Sequence, residues 1–194
     1  MKVLPWVYLG YMFVSLYFFF FYVILYHRNK NKLYETPKVT NNYSLSVLIP
    51  AWNEEDTLKG TVESVVKSDY PIKEIIIIND CSTDGTLRVA QELASRYSMV
   101  RVISNSKNLG KAGSLNRAIT TTTTELVAVV DSQSYLETNS IRNLIGYFDE
   151  PRVGVATAKI LVKYKRNFLE KLQALEYSVI ALQEKCLDSS TASM

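Results

Sequence analysis

The residues best placed to do chemistry are polar groups that follow short apolar runs. In Leu126–Ser134, LVAVVDSQS, five apolar residues lead into Asp131, with Gln133 two positions on. Such a run reads as a buried central strand of a parallel sheet with a polar loop at its carboxyl end. Ligands of open α/β sheets bind outside the carboxyl ends of the strands. An aspartate there, followed by a second oxygen acceptor, can hold a divalent cation against a diphosphate. Two further runs end the same way. LSVLIP leads into Pro50, Ala51, Asn53 and Glu54, and EIIIIND ends in Asp80 with Asp84 in the loop beyond. Lys111 opens a short helical stretch, where a cation and free backbone N–H groups can meet phosphate oxygens together. Singly, each residue has an ordinary explanation: Asn53 and Asp84 as helix caps, Lys111 as a solvated lysine. On one sheet edge they make a nucleotide-diphosphate site.

The elements that must carry these residues alternate. A strand at Leu45–Pro50 is followed by a helix that Asn53 caps, with Glu54, Glu55 and Asp56 in its first turn, running to about Lys67. A strand at Glu74–Asp80, a helix over about Thr86–Tyr97 and a strand in MVRVIS come next. A loop over Asn105–Gly110 leads to a helix over about Ala112–Ile119, then the Asp131 strand, a helix over Asn139–Phe148 and a last strand in VGVATAKILVK. Strands alternating with helices predict a parallel sheet covered on both faces.

Before this pattern, Leu4–Tyr26 carries no charge and is crowded with Phe, Tyr, Val and Leu. It is long enough to span a bilayer, which takes about 20 residues, and no small-residue cleavage site follows it. Only Lys2 precedes it, whereas Arg28, Lys30 and Lys32 follow, so the globular part is expected on the cytosolic side of a single-pass membrane protein. His27–Tyr43 reads as a linker. Phe168–Leu187 has apolar residues at helical spacing, a face that packs on the domain or lies on the membrane surface. The expected order is a transmembrane anchor over 1–27, a linker over 28–44, a nucleotide-diphosphate-binding domain over 45–165, and an amphipathic helix with a disordered tail over 166–194.

Composition removes several function classes. With 194 residues and a net charge of +3, the chain holds one globular domain plus its anchor and is too weakly basic for nucleic acid. His27 is the only histidine and adjoins the apolar segment, which leaves no Ser-His or Cys-His pair. Neither GxGxxG nor a Walker A loop is present; Gly110-Lys111 has Asn105 in place of the leading glycine and Ala112 in place of Ser/Thr.

Four ordered motifs, VLIPAWNEE, IIIINDCSTDGT, NLGKAGSLN and VVDSQS, resemble those of the family 2 glycosyltransferases. With the apolar segment before them, they are most similar to the membrane-bound branch of cellulose, chitin and hyaluronan synthases. The resemblance covers roughly Ser44–Lys163. It implies a GT-A fold, the Rossmann-like parallel-sheet domain of nucleotide-diphospho-sugar transferases. It also implies inverting transfer from a nucleotide sugar, UDP-linked, to a polysaccharide or lipid acceptor. By that resemblance Pro50, Ala51 and Glu54 line the nucleoside pocket beside Asn53, and Asp80 holds the uracil. Lys111 approaches the uridine or its phosphates. Asp131 opens the DxD motif that binds the diphosphate through Mg²⁺ or Mn²⁺.

Two departures from the family pattern qualify this expectation. The second DxD position is Gln133, neutral and one methylene longer than aspartate. At an effective dielectric of ~20, two unit charges ~4 Å apart interact by about 4 kcal/mol, so metal affinity should fall. The family's catalytic base and QxxRW motif are expected beyond this segment, leaving no catalytic base identified among its residues and transfer impaired. A non-catalytic, membrane-anchored protein with the same fold is the alternative. A nucleotidyltransferase would need a glycine-rich loop and arginine where this chain has Ala51–Glu54.

Overall fold

The computed structural model describes residues 3–33, 37–158, 160–162 and 166–177. A long helix, α1 (Leu4–Leu33), precedes an alternating series: β1 (Leu45–Ala51), α2 (Leu58–Val66), β2 (Glu74–Asn79), α3 (Thr86–Arg96), β3 (Val100–Ser104), α4 (Gly110–Ile119), β4 (Leu126–Val129) and α5 (Ser140–Ile145). A 3₁₀ turn, Gly146–Asp149, closes the series. The chain forms two compact units, Pro37–Ala156 and a second made of Met1–Thr36 with Thr157–Met194.

Within Pro37–Ala156 the four strands are all parallel, in the order β3-β2-β1-β4. Alternate side chains point to opposite faces of a strand, and here both faces are covered. Val47, Ile49, Ile75 and Ile77 meet Leu58, Val62 and Val65 of α2 and Ala90 and Leu93 of α3. Leu48, Ile76 and Ile78 meet Leu115 and Ala118 of α4 on the other face. Burying each such aliphatic side chain contributes roughly 1.5–3 kcal/mol, which explains why EIIIIN can be apolar at consecutive positions.

Among the described residues the Asp131 strand is not central. β4 pairs only with β1, lies at the edge among the described residues, and alternates half-buried with exposed positions, Val127 and Val129 facing out. Continuous apolar character is shared by central strands and by edge strands with one covered face, so the run alone does not separate them. Nor does the expected strand in VGVATAKILVK appear among its described residues: 153–158 and 160–162 are irregular. β-branched content favours a strand only where a neighbour supplies the ladder.

Two boundaries also shift. The helix expected from Asn53 begins at Leu58: Asn53, at φ 55°, lacks the extended backbone of an N-cap, and residues 55–57 form a turn before the helix starts. The expected linker is helical to Leu33, and residues 40–44 are fastened to the domain. Thr40 N–H and Asn41 Nδ2 donate to Asp149 at 3.0 and 2.8 Å, and the Tyr43 hydroxyl lies 3.0 Å from the same carboxylate. These donors, Thr40 foremost, push the Asp149 carboxyl down to about 2. Ser44 N–H and hydroxyl donate to Glu125 at 2.8 and 2.9 Å.

In the other unit, Leu4–Arg28 is long and apolar enough to cross a membrane, and its apolar stretch is not buried. The amphipathic segment is helical over 168–177, where Phe168, Leu169, Leu172 and Leu175 are exposed. Its remainder and the expected disordered tail lie outside the described residues.

Candidate functional site

Parallel pairing aligns the strand ends. Ala51 is opposite Asn79, which is opposite Ser104, and Val130 N–H donates to Leu48 O at 3.0 Å, carrying Asp131 out beside Pro50. The edge so formed holds most of the expected site residues, which differ in accessibility. Asn53, Lys111, Asp131 and Gln133 are exposed, Pro50 and Glu54 are half-buried, and Ala51 and Asp80 are buried.

The loops after β1 and β2 brace one another. Asn53 caps no helix: its Oδ1 accepts from Thr83 N–H at 2.8 Å, and its own N–H donates to Ser82 Oγ at 3.1 Å. Glu54 N–H donates to Thr86 Oγ1 at 2.7 Å, and Gly85 N–H donates to Glu55 Oε2 at 2.7 Å. Asp84 does act at a helix start, its Oδ1 accepting from Thr86 N–H at 3.0 Å. Asn53 and Cys81, with φ of 55° and 59°, are the non-glycine residues in left-handed conformation among the described residues. Both lie in these loops, where local strain is commonly stored near function.

Asp80 turns inward, 4% exposed. Its Oδ1 accepts from Asn105 Nδ2 at 2.7 Å and from Leu109 N–H at 2.8 Å. Burial acts to raise its carboxyl, but donation from Leu109, Asn105, Ser114 and Gly110 outweighs burial and holds it below the usual carboxylate range. Asn105 Nδ2 also donates to Ser114 Oγ at 2.8 Å, and Asn105 Oδ1 accepts from Arg117 Nη1 at 2.5 Å. Asn79 donates to Ser104 Oγ at 3.1 Å, while its own Oδ1 is buried without a partner.

Lys111, the second residue of α4, donates to Asp131 Oδ1. Asp131 opens a tight turn in which Ser134 N–H donates back to its carbonyl at 2.8 Å, with Gln133 exposed within the turn. A metal ion would find there one carboxylate, already facing a cation, and one amide oxygen. No group of three or more His, Cys, Asp and Glu residues able to hold a metal occurs among the described residues. The donor set suits Mg²⁺ or Mn²⁺ shared with a diphosphate, since Mg²⁺ commonly takes one or two protein carboxylates with phosphates and water. It does not suit a metal caged by protein alone.

Asn105, Ser114 and Arg117 were not among the expected site residues. The rule that singled out Asp80 and Asp131, a polar residue just past a strand, also picks out Asn105 after β3.

The family described as Glycosyl transferase family 2 matches residues 46–190. Curated relatives include the poly-beta-1,6-N-acetyl-D-glucosamine synthase of Staphylococcus epidermidis, 32% identical over 137 residues, 70% of this chain and 33% of that one. The synthase of the same name from Staphylococcus aureus (strain MSSA476) is 28% identical over 165 residues, 84% of this chain and 39% of that one. The chain thus spans between 33% and 39% of the length of these relatives. Among solved structures, the mannosyltransferase PcManGT from Pyrobaculum calidifontis, in complex with GDP-Man and Mn²⁺, is similar with a TM-score of 0.62. Identity is 23%, covering 74% of this chain and 44% of that one. S. aureus TarS 1-349 has a TM-score of 0.50 at 24% identity, covering 62% of this chain and 40% of that one. The parallel sheet with its helices is the GT-A fold of such transferases. With the family matched over most of its length, this chain belongs to glycosyl transferase family 2.

Proposed function

We propose that this chain carries the donor-binding part of a membrane-anchored, cytosol-facing glycosyltransferase. The donor is a UDP-linked sugar of the N-acetylglucosamine class, for inverting transfer to a growing polysaccharide or a lipid. The observation that carries the reading is Asp131 facing Lys111 at the edge where β1, β2 and β3 also end. In this reading Pro50, Ala51, Asn53 and Glu54 border the nucleoside with Asp80 behind them, and Lys111 meets the diphosphate. Asp131 and Gln133 would supply the protein oxygens to Mg²⁺ or Mn²⁺, which when bound would offset the negative charge of the diphosphate. The choice of sugar follows the names of the curated relatives. The membrane and its cytosolic side follow from the apolar span of α1 and the positive residues after it. The organisation proposed is anchor, connector, donor-binding domain and amphipathic tail.

Lys111 stabilises diphosphate charge by direct donation from its ammonium, and the start of α4 adds backbone N–H groups of the same polarity. The braced loops after β1 and β2 hold the nucleoside side in one geometry. The test is calorimetric titration of the full chain in detergent with UDP, UDP-N-acetylglucosamine, GDP and dTDP, each with and without Mn²⁺. Metal-dependent binding of the uridine nucleotides is the expected outcome, and no binding of any nucleotide overturns the reading.

A second reading, a non-catalytic partner that retains the fold, is favoured by one observation: Asp131 is the lone carboxylate of its turn, with Gln133 in the second place. Donor binding that stays absent in Gln133→Asp as in the parent would support it.

A further inference from the structure

Lys111 can meet a diphosphate only if the start of α4 is held in place, and the structure contains a buried device that does so. Asp80, Asn105 and Ser114 are 4%, 5% and 0% exposed and form a closed polar cluster between the end of β2 and α4. Asp80 also receives Leu109 N–H at 2.8 Å, which fixes the residue immediately before the helix. Asn105 is tied on both sides. Its own N–H donates to Asn79 O at 2.9 Å, anchoring it to β2, and its Oδ1 receives Arg117 from α4. Ser114 lies three residues after Lys111, so the two are neighbours along one side of α4.

The apolar contacts of Leu115 and Ala118 with Leu48, Ile76 and Ile78 already fasten the second half of α4 to the sheet. They leave rotation and slide of its first turn less constrained. Hydrogen bonds removed from water are directional and strong in a low-dielectric setting, and a functional side chain needs such support to keep its geometry. We propose that Asn105 is a positioning residue: through the buried cluster with Asp80 and Ser114 it sets the first turn of α4 so that Lys111 faces Asp131 and a bound diphosphate. The proposal rests on the nucleotide-diphosphate reading above. It requires Asn105 to act through Lys111, which a role in stability alone does not.

The experiment is a double-mutant cycle on the full chain in detergent, with UDP and Mn²⁺ as the probe. Asn105→Ala is expected to weaken UDP binding about tenfold, close to 1.4 kcal/mol, in the parent. In a Lys111→Met background the same change should have an effect of less than about twofold on that scale. Without ligand, the Leu109 and Gly110 amides should exchange hydrogen faster in Asn105→Ala, while those of β1 and β2 keep their parent rates. Arg117→Met, which leaves Asp80 and Asn105 paired, covers the case in which Asn105→Ala does not fold. It is expected to show a smaller loss that also vanishes in the Lys111→Met background. Equal losses in both backgrounds, with parent binding intact, overturn the positioning role alone. A parent chain that binds no UDP overturns the nucleotide reading and the positioning role together.

Discussion

The Lys111 ammonium donates to the Asp131 carboxylate, joining the start of α4 to the turn after β4. Their side chains are 58% and 51% exposed, and pairs that open to water contribute about 0–1 kcal/mol to stability. The pair therefore does little for the fold and leaves both groups available to a ligand that brings its own opposite charges.

Lys111→Met should for this reason separate binding from stability. Affinity for UDP with Mn²⁺ is expected to fall about tenfold, since hydrogen bonds to charged groups are worth about 1.5–3 kcal/mol. The urea midpoint should move little. Titration calorimetry and urea unfolding on the same preparation check both halves, and a large loss of stability would contradict the account of the pair.

Gln133→Asp should raise nucleotide affinity only when metal is present. A second carboxylate in the turn strengthens cation binding, but without a cation it repels the diphosphate. The ratio of UDP affinity with Mn²⁺ to that without should rise by about tenfold or more, on the scale of 1.4 kcal/mol per decade. A rise of the same size without metal would show that charge at this position acts in some other way.

Cys81→Gly should stabilise the domain by about 0.5–1 kcal/mol, because Cys81 holds φ at 59°, where a side chain is strained and glycine is not. Part of the relief is offset by the added freedom of the unfolded chain. Asn53→Gly at φ 55° should instead destabilise, because Thr83 N–H loses its acceptor, Asn53 Oδ1. Urea unfolding of the two variants gives opposite signs if the loops are read correctly.

Acid should release residues 40–43. The Asp149 carboxyl is depressed from 3.8 to about 2, so it adds stability that is complete above its unfolded value and lost as pH falls to about 2. Asp149→Asn should be less stable than the parent at neutral pH, and the two should converge as the pH is lowered through that window. Denaturation followed at stepped pH checks the convergence, and a gap unchanged at pH 2 would assign the linkage elsewhere.

Several of these features could be read from residue order alone. The apolar stretches within EIIIIND and LSVLIP, IIII and VLIP, are too short for helices, and both lie in strands of the parallel sheet. The polar residues after them reach one edge because parallel register leaves no other arrangement. Legibility ended where a partner in space decides the outcome. Whether LVAVV is central or at an edge depends on what lies alongside it, and VGVATAKILVK has strand composition but no strand among its described residues. Asn53 looked like a cap because caps are what asparagine before acids usually provides, yet the loop after β2 offers Thr83 as a donor to the same oxygen. Asn105 follows β3 as Asp80 follows β2, so its place at the edge is legible, but its bond to Asp80, 25 positions away, is set by the fold alone.

The mutual bracing of the loops after β1 and β2 has a kinetic corollary. Asn53 with Thr83 and Glu55 with Gly85 tie the two loops together through the chain's own groups, so capture should not have to wait for these loops to order. Entry on that side should follow a single exponential whose rate climbs in proportion to concentration without levelling off. Little of the guest's binding energy is then consumed in ordering the host.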